Sequence, residues 1–404
     1  MAVGPCDFPD MPELSGILIG TACAGIKQTI KDDIVVFQMA ERATAAAVFT
    51  QNAFCAAPVT VAKAHLRQQP RWLLINSGNA NAGTGEQGLS DAFACCSGLA
   101  QATGGEAEQV LPFSTGVIGQ PLPVDKISAA LPKAVSDLAP AHWDKAAQAI
   151  MTTDTFAKGA TRTILLDGRP VTLNGIAKGA GMIHPNMATM LAFIATDARL
   201  AQPLLQTCLE RAVEQSFNRI TVDGDTSTND ACVAMASGRS SAPEIEADGE
   251  YYRLFAEALM AVCRELAEAI VRDGEGATKL IRIVVDQAEN DEEAVRVGKT
   301  IAHSPLVKTA FFASDPNWGR ILAAVGRSGI DHLALDNIEI FLDDVCIVRS
   351  GGRADDYTEE AGQRVMNRQE ITITVHLGRG KARQEVLTCD FSYDYVRINA
   401  EYRT

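Results

Sequence analysis

The sequence predicts a mixed α/β protein built in layers, either as two domains or as one large layered unit. Three observations predict it. Short β-type runs alternate with amphipathic helical segments along the chain, and low-complexity tracts are lacking. The 404 residues exceed one ordinary compact domain. Hydrophobic residues make up 47% and charged residues 21%, a balance that fits a globular enzyme and not a disordered chain.

Taken in order, Ile34–Phe37, Ala45–Phe49 and Trp72–Asn76 read as strands. Asn76–Gly85 is a Gly/Asn-rich loop that can gather several N–H groups in one concave place. It reads equally well as a plain strand-to-helix turn, because Leu89–Ala102 is helix-like. Thr161–Leu166 and Thr189–Ile194 form a sheet region flanking a glycine loop, and Leu204–Phe217 has helical spacing. Ala231–Ser237 is a buried small-residue segment, strand or helix. Tyr252–Arg272 is the clearest helix, with Leu254, Phe255, Ala258, Leu259, Val262, Leu266 and Ile270 on one face and a stop at Asp273-Gly274. Lys279–Asp286, Ile338–Leu342 and Ile371–Leu377 are strands, with a helix at Asp291–Ala302. The change of character near 280–287 is the best domain boundary.

The net charge of -14, with no basic cluster, argues against nucleic-acid or anionic-membrane partners. No apolar run is long enough to span a bilayer, and the acidic N-terminus lacks the order of a signal peptide, so a cytoplasmic location is expected. The ten cysteines show no C-x-x-C and the six histidines no H-E-x-x-H, so neither a metal nor a disulfide framework is expected. No G-x-G-x-x-G follows a strand and no Walker A sequence occurs, so no nucleotide cofactor is expected.

The most informative run is Lys178–Leu191. Gly179, Ala180 and Gly181 free the backbone, Pro185 fixes one φ, and Thr189 follows Ala188 ahead of the apolar Met190–Ala195. One reading is a glycine loop feeding a core strand. The other is self-cleavage: the Thr189 hydroxyl attacks the Ala188 carbonyl, and hydrolysis of the ester leaves a terminal threonine whose α-amine serves as base for its own Oγ. Thr115-Gly116 within Ser114–Gly119 offers two donors for an oxyanion. Met151–Thr155 reads as an N-cap in which Asp154 and the threonines bond nearby backbone. Glu275, between two glycines, reads as an exposed carboxylate suited to an ammonium, or as part of a solvated loop. Asp223–Asp230 lacks the EF-hand placement of glycine and glutamate and reads as structural hydrogen bonding. Trp318 and Arg320 either shape a pocket or pack an interface.

From about Ser15 to the C-terminus the chain resembles the ornithine acetyltransferase family, the bifunctional glutamate N-acetyltransferases of arginine biosynthesis. The resemblance is carried by Lys178–Leu191, Thr221–Asp230, Ser304–Thr309 with Asp315–Arg320, and Ile398–Thr404. It implies a layered αββα sandwich resembling N-terminal nucleophile hydrolases over residues 1–280, and a second α/β domain over 281–404 whose tail returns to the site. It implies cleavage between Ala188 and Thr189 into an α chain (1–188) and a β chain (from 189), associated as α2β2. Thr189 matches the nucleophile and a substrate contact, and Thr115 and Gly116 match the oxyanion pair. Lys178, Glu275, Asn399 and Thr404 match substrate-binding positions, with one of Thr152 and Thr153, Thr153 being favoured. The implied reaction moves acetyl from N-acetyl-L-ornithine to L-glutamate without a cofactor. Some members also use acetyl-CoA as donor, and these residues leave both kinds open. The competing reading is an N-terminal-nucleophile aminopeptidase or amidase.

Overall fold

The computed structural model describes residues 3–4, 7–27, 30–184 and 190–401; the expected cleavage pair Ala188 and Thr189, and Thr404, lie outside the described residues. The first part of the chain runs β1 (Ile17–Ala22), β2 (Ile34–Met39), β3 (Thr44–Phe49), α1 (Ala57–His65), β4 (Trp72–Asn79), α2 (Gly85–Thr103), β5 (Val110–Val117), α3 (Val124–Ser136), α4 (Trp143–Ala149), β6 (Lys158–Leu166), β7 (Arg169–Lys178), β8 (Leu191–Thr196), α5 (Gln202–Glu214), β9 (Ala231–Ala236) and α6 (Glu250–Arg272). One sheet has the order β1-β2-β4-β5 and the other β3-β9-β8-β7-β6. Each contains one parallel pair, β4 with β5 and β8 with β9.

The two sheets pack face to face. Phe37 and Phe113 from one meet Phe193 from the other, with ring centroids 5.7 and 5.2 Å apart. Such contacts add about 0.5–1.5 kcal/mol each beyond area burial. The alternation along β8 explains the layers. Leu191, Phe193 and Ala195 join the inter-sheet core. Ala192 and Ile194 point the other way, into a core with Leu205 and Leu209 of α5 and Phe255, Leu259, Val262, Leu266 and Ile270 of α6. On the far side of the first sheet, Val36 and Leu74 meet Cys96 and Leu99 of α2 and Ile127 and Leu131 of α3. Both faces of each sheet are covered, so the central strands read as nearly continuous apolar runs. The result is a layered αββα sandwich.

The chain continues with β10 (Leu280–Ala288), α7 (Asp291–Ala302), α8 (Pro305–Phe312), α9 (Trp318–Gly326), β11 (Glu339–Leu342), β12 (Val345–Arg349), β13 (Gly352–Arg353), α10 (Glu359–Met366), β14 (Glu370–His376), β15 (Ala382–Cys389) and α11 (Tyr393–Glu401). Its sheet has the order β13-β12-β11-β14-β10-β15. Ile283, Val285, Ile340, Ile373 and Val375 pack against Val297 and Ile301 of α7 and Ile321 and Val325 of α9. Leu280, Leu387 and Cys389 instead join the α5–α6 core, which couples this sheet to the sandwich.

Several local expectations change. α6 ends at Arg272, but Gly274 is not the left-handed stop: a Cβ there would meet Cys389 Sγ at 2.9 Å, and the positive φ of +71° falls on Gly276. The helix expected to reach Phe217 ends at Glu214, and Phe217 begins a separate short 3-10 turn. Ala231–Ala236 is a strand, because β3 and β8 pair with it on both sides. Trp318 and Arg320 begin α9, where Trp318 packs on the core of the second sheet and Arg320 Nη1 donates to the Leu306 carbonyl at 2.8 Å. Neither lines the cavity described next. No described helix is long and apolar enough to cross a membrane.

Candidate active site

A cavity of about 270 Å³ opens where β4, β5 and β7 end and β8 and β9 begin. Seven residues expected from the sequence line it: Thr115, Gly116, Thr152, Thr153, Lys178, Glu275 and Asn399. Both threonines of the 152–153 pair do so. Sequence reasoning missed Ser227, Thr228, Asn229 and Asp230, which also line it. The only signal for them was the resemblance carried by Thr221–Asp230, because their approach to the site depends on pairing of β9 with a strand forty residues earlier.

The Thr115-Gly116 wall is held by asparagines. Ser114 Oγ donates to Asn76 Oδ1 at 2.5 Å, and Asn76 Nδ2 donates to the Asn79 carbonyl at 2.9 Å. Asn229 Nδ2 reaches the carbonyls of Ala80 and Ser114 at 2.6 and 2.9 Å. The Asn-rich segment is therefore partly strand β4 and partly a braced turn, and it contributes Ala80 to the lining. Gly116 sits at φ +136°, opposite Gly78 in the parallel pairing, where the register shifts at Asn79. Lys178 Nζ donates to Thr115 Oγ1 at 3.3 Å. Because that oxygen accepts, the hydroxyl hydrogen is left to point elsewhere, including into the cavity.

Asp154 caps no helix, since the next element is β6. Its buried carboxylate accepts from Thr152 N (3.0 Å), Gly179 N (2.7 Å) and Lys158 Nζ (2.6 Å). Lys158 Nζ also donates to Asp273 Oδ2 at 2.6 Å, and Asp273 is bonded by the backbone and hydroxyl of Thr155. On the other side, Asp223 accepts from Met182 N and Ile183 N at 2.6 and 3.0 Å, so it stitches the glycine loop to the 221–230 segment. Asp223 thus plays the structural part expected of the segment, whereas Ser227–Asp230 line the cavity.

Glu275 is not an exposed carboxylate. It is 7% exposed, because α11 folds back over it and Asn399 Nδ2 donates to Glu275 Oε2 at 2.8 Å. Gly181 makes room for it: a Cβ there would lie 2.4 Å from the Glu275 carboxyl carbon. Burial pushes the Lys178 ammonium below its usual range, against the pull of Asp154. Burial pushes Asp230 well above the usual carboxylate range, and its Oδ2 has no hydrogen-bond partner among the described residues. The cavity thus combines a cation, two carboxyl groups of different character and a hydroxyl beside a glycine. Such a set can hold a zwitterionic amino acid and stabilise an oxyanion.

At the end of the glycine loop His184 meets His303, edge to face with centroids 4.2 Å apart. Burial, then Lys299, lowers His184 to about 4; burial, then His184, lowers His303 to about 3. Unfolded imidazoles titrate near 6.5, so below that pH the unfolded chain binds protons that the folded chain refuses. Stability therefore falls as pH drops from about 6.5 toward those values. Replacing His303 with phenylalanine is expected to shrink the Tm difference between about pH 7 and about pH 4.5. An equal difference in wild type and variant would contradict this.

The fold and the cavity define a class: a layered αββα sandwich with its site at the strand ends between the two sheets. The ArgJ family model matches residues 18–404, and the chain belongs to that family. It is 65% identical over 391 residues to the arginine biosynthesis bifunctional protein ArgJ of Methylococcus capsulatus, covering 97% of this chain and 96% of that one. It is 53% identical over 405 residues to the protein of the same name in Pseudomonas fluorescens, covering 100% of both. Among solved structures it is similar to the arginine biosynthesis bifunctional protein of Bacillus halodurans, 41% identical with a TM-score of 0.50, over 52% of this chain and 98% of that one.

Proposed function

We propose that this chain transfers the acetyl group of N-acetyl-L-ornithine to L-glutamate in arginine biosynthesis, through an acetyl ester on Thr189. The observation that carries the reading is the convergence of seven residues, from five segments distant in sequence, on one cavity at the head of β8, which begins two residues after Thr189. Cleavage after Ala188 frees the Thr189 α-amine. That amine takes the hydroxyl proton as Oγ attacks the acetyl carbon, and Thr115 and Gly116 hold the oxyanion. As the C–N bond breaks, the same proton passes to the leaving amine of ornithine. The glutamate amine then attacks the ester, its proton goes to Thr189 Oγ, and N-acetylglutamate departs. Lys178 holds the substrate carboxylate, Glu275 an ammonium, and Thr152 or Thr153 completes the grip.

The relatives' name describes them as bifunctional, which supports acetyl-CoA as a second donor here, entering the same acetyl-threonine. The cleaved halves stay associated as α2β2 in the cytoplasm. The nine described cysteines are free thiols, which suits a reducing compartment. The test is product analysis of purified protein given N-acetylornithine with glutamate, and acetyl-CoA with glutamate. N-acetylglutamate from the first mixture is expected. Release of acetate alone would mean that water is the acceptor and would replace this reading with an amidase.

Ending the chain at Ile398 removes the Asn399 amide from Glu275, together with Thr404. A hydrogen bond to a charged group contributes about 1.5–3 kcal/mol, so kcat/KM is expected to fall about tenfold to a hundredfold. Full turnover in that truncation, measured with N-acetylornithine and glutamate, would remove the C-terminal tail from the site.

A further inference from the structure

The transfer chemistry makes no use of Asp154, although its carboxylate is fully buried behind the cavity and joins two of its walls. It accepts from Thr152 N on one wall, from Gly179 N at the end of β7 on the other, and from Lys158 Nζ between them. Lys158 is equally buried and is also tied to Asp273, two residues before Glu275. We propose that Asp154 is a positioning residue for the reaction: it fixes the 152–153 turn against the end of β7 and supplies the standing counter-charge for the Lys178 ammonium. The proposal rests on the reading of Lys178 as the group that holds the substrate carboxylate.

The other charges around Lys178 are Lys158, Asp230, Glu275 and Lys27, with the Thr115 hydroxyl as hydrogen-bond partner. None of them replaces Asp154. Asp230 is driven toward its neutral form by burial. Glu275 is engaged by Asn399 and committed to the ammonium of the substrate. Lys158 and Lys27 repel Lys178. Asp154 is itself held ionised. Burial opposes its charge, but Lys158 and Lys178 beside it, with hydrogen bonds from Lys158 and Gly179, keep the carboxyl below its usual range. Without it, a buried ammonium next to a second ammonium loses its proton at lower pH.

The rate should therefore carry two pH limits. The Thr189 amine must be unprotonated, which sets the acid limb of kcat/KM, and Lys178 must be protonated, which sets the alkaline limb. In the full chain, Asp154→Asn is expected to lower kcat/KM about tenfold or more near neutrality and to move the alkaline limb down by about one pH unit or more. Asp154→Glu, which keeps the charge, is expected to leave that limb in place even where kcat falls. A uniform loss at every pH in both variants, with the limb unmoved, would make Asp154 merely structural and overturn the proposal. If Asp154→Asn fails to fold, the triple variant Asp154→Asn with Lys158→Met and Asp273→Asn removes the whole buried charge cluster and carries the same test. Its limb is expected to move down by less, since the repulsion from Lys158 is gone, and an unmoved limb overturns the proposal again. Lys178→Met separates this from the underlying reading. Unchanged KM for both amino acids in that variant sinks the carboxylate role of Lys178 itself. A raised KM there, with an unmoved limb in Asp154→Asn, sinks only the role of Asp154.

Discussion

Thr189→Ala is expected to yield a single full-length chain on a denaturing gel and no detectable acetyl transfer. Both losses have one cause. In the proposed mechanism the hydroxyl first attacks the carbonyl of Ala188 and later the acetyl donor, and alanine can do neither. The fold should survive. Residue 189 precedes β8, whose six residues from Leu191 to Thr196 are all buried and paired on both sides. A Tm close to that of the wild type is therefore part of the prediction. Serine at 189 is expected to retain cleavage and transfer at reduced rate, since it keeps the hydroxyl and the future α-amine. Cleavage in Thr189→Ala would remove the threonine from the processing step altogether.

Gly116→Ala should be nearly as damaging for a different reason. A Cβ at 116 would lie 2.3 Å from the Gly78 carbonyl carbon and 2.5 Å from Asn79 N, both main-chain atoms that cannot rotate away. The φ of +136° adds strain for any residue with a side chain. β5 must then back off from β4 at the point where Thr115 and Gly116 face the cavity, and misplaced oxyanion donors typically cost about a hundredfold to a thousandfold in kcat. Overpacking of this kind also destabilises by about 1–3 kcal/mol. Gly326→Ala, on α9 with nothing within 4 Å of the added methyl, is the control and is expected to leave kcat unchanged. Wild-type kcat in Gly116→Ala, assayed on folded protein, would mean that this wall does not stabilise the oxyanion.

Where an element has one apolar face with a regular period, or is an unbroken apolar run, the sequence was legible. α6, β2 and β3 are read to within two residues at each end. β7 was missed because Pro170 and the Asn174-Gly175 pair interrupt its apolar run, although both lie inside a ten-residue strand paired on each side. β5 was missed because Pro112 and Ser114-Thr115-Gly116 look like turn residues. Pro112 is tolerated because β5 is the edge strand of its sheet, and Asn76 and Asn229 brace Ser114 from the neighbouring segments. Pro132 hid α3 in the same way. Within the site, residues carrying obvious chemistry, such as Lys178, Thr115 and Glu275, were readable. Their environment was not. Glu275 looks exposed between glycines until α11 is folded over it, and Asp154 looks like a cap until Lys158 and Gly179 are brought to it. Burial and counter-charge are products of long-range packing, and local sequence contains little of either.

The central claim is that a threonine created as a chain start carries the acetyl group between two amino acids. Intact-mass analysis of purified protein, before and after incubation with N-acetylornithine alone, tests it most directly. Two polypeptides are expected, one ending at Ala188 and one beginning at Thr189. Only the second should gain the mass of one acetyl group, and it should lose it when glutamate is added. A single uncleaved polypeptide that nonetheless transfers acetyl, or acetyl found on the chain that ends at Ala188, would contradict the account.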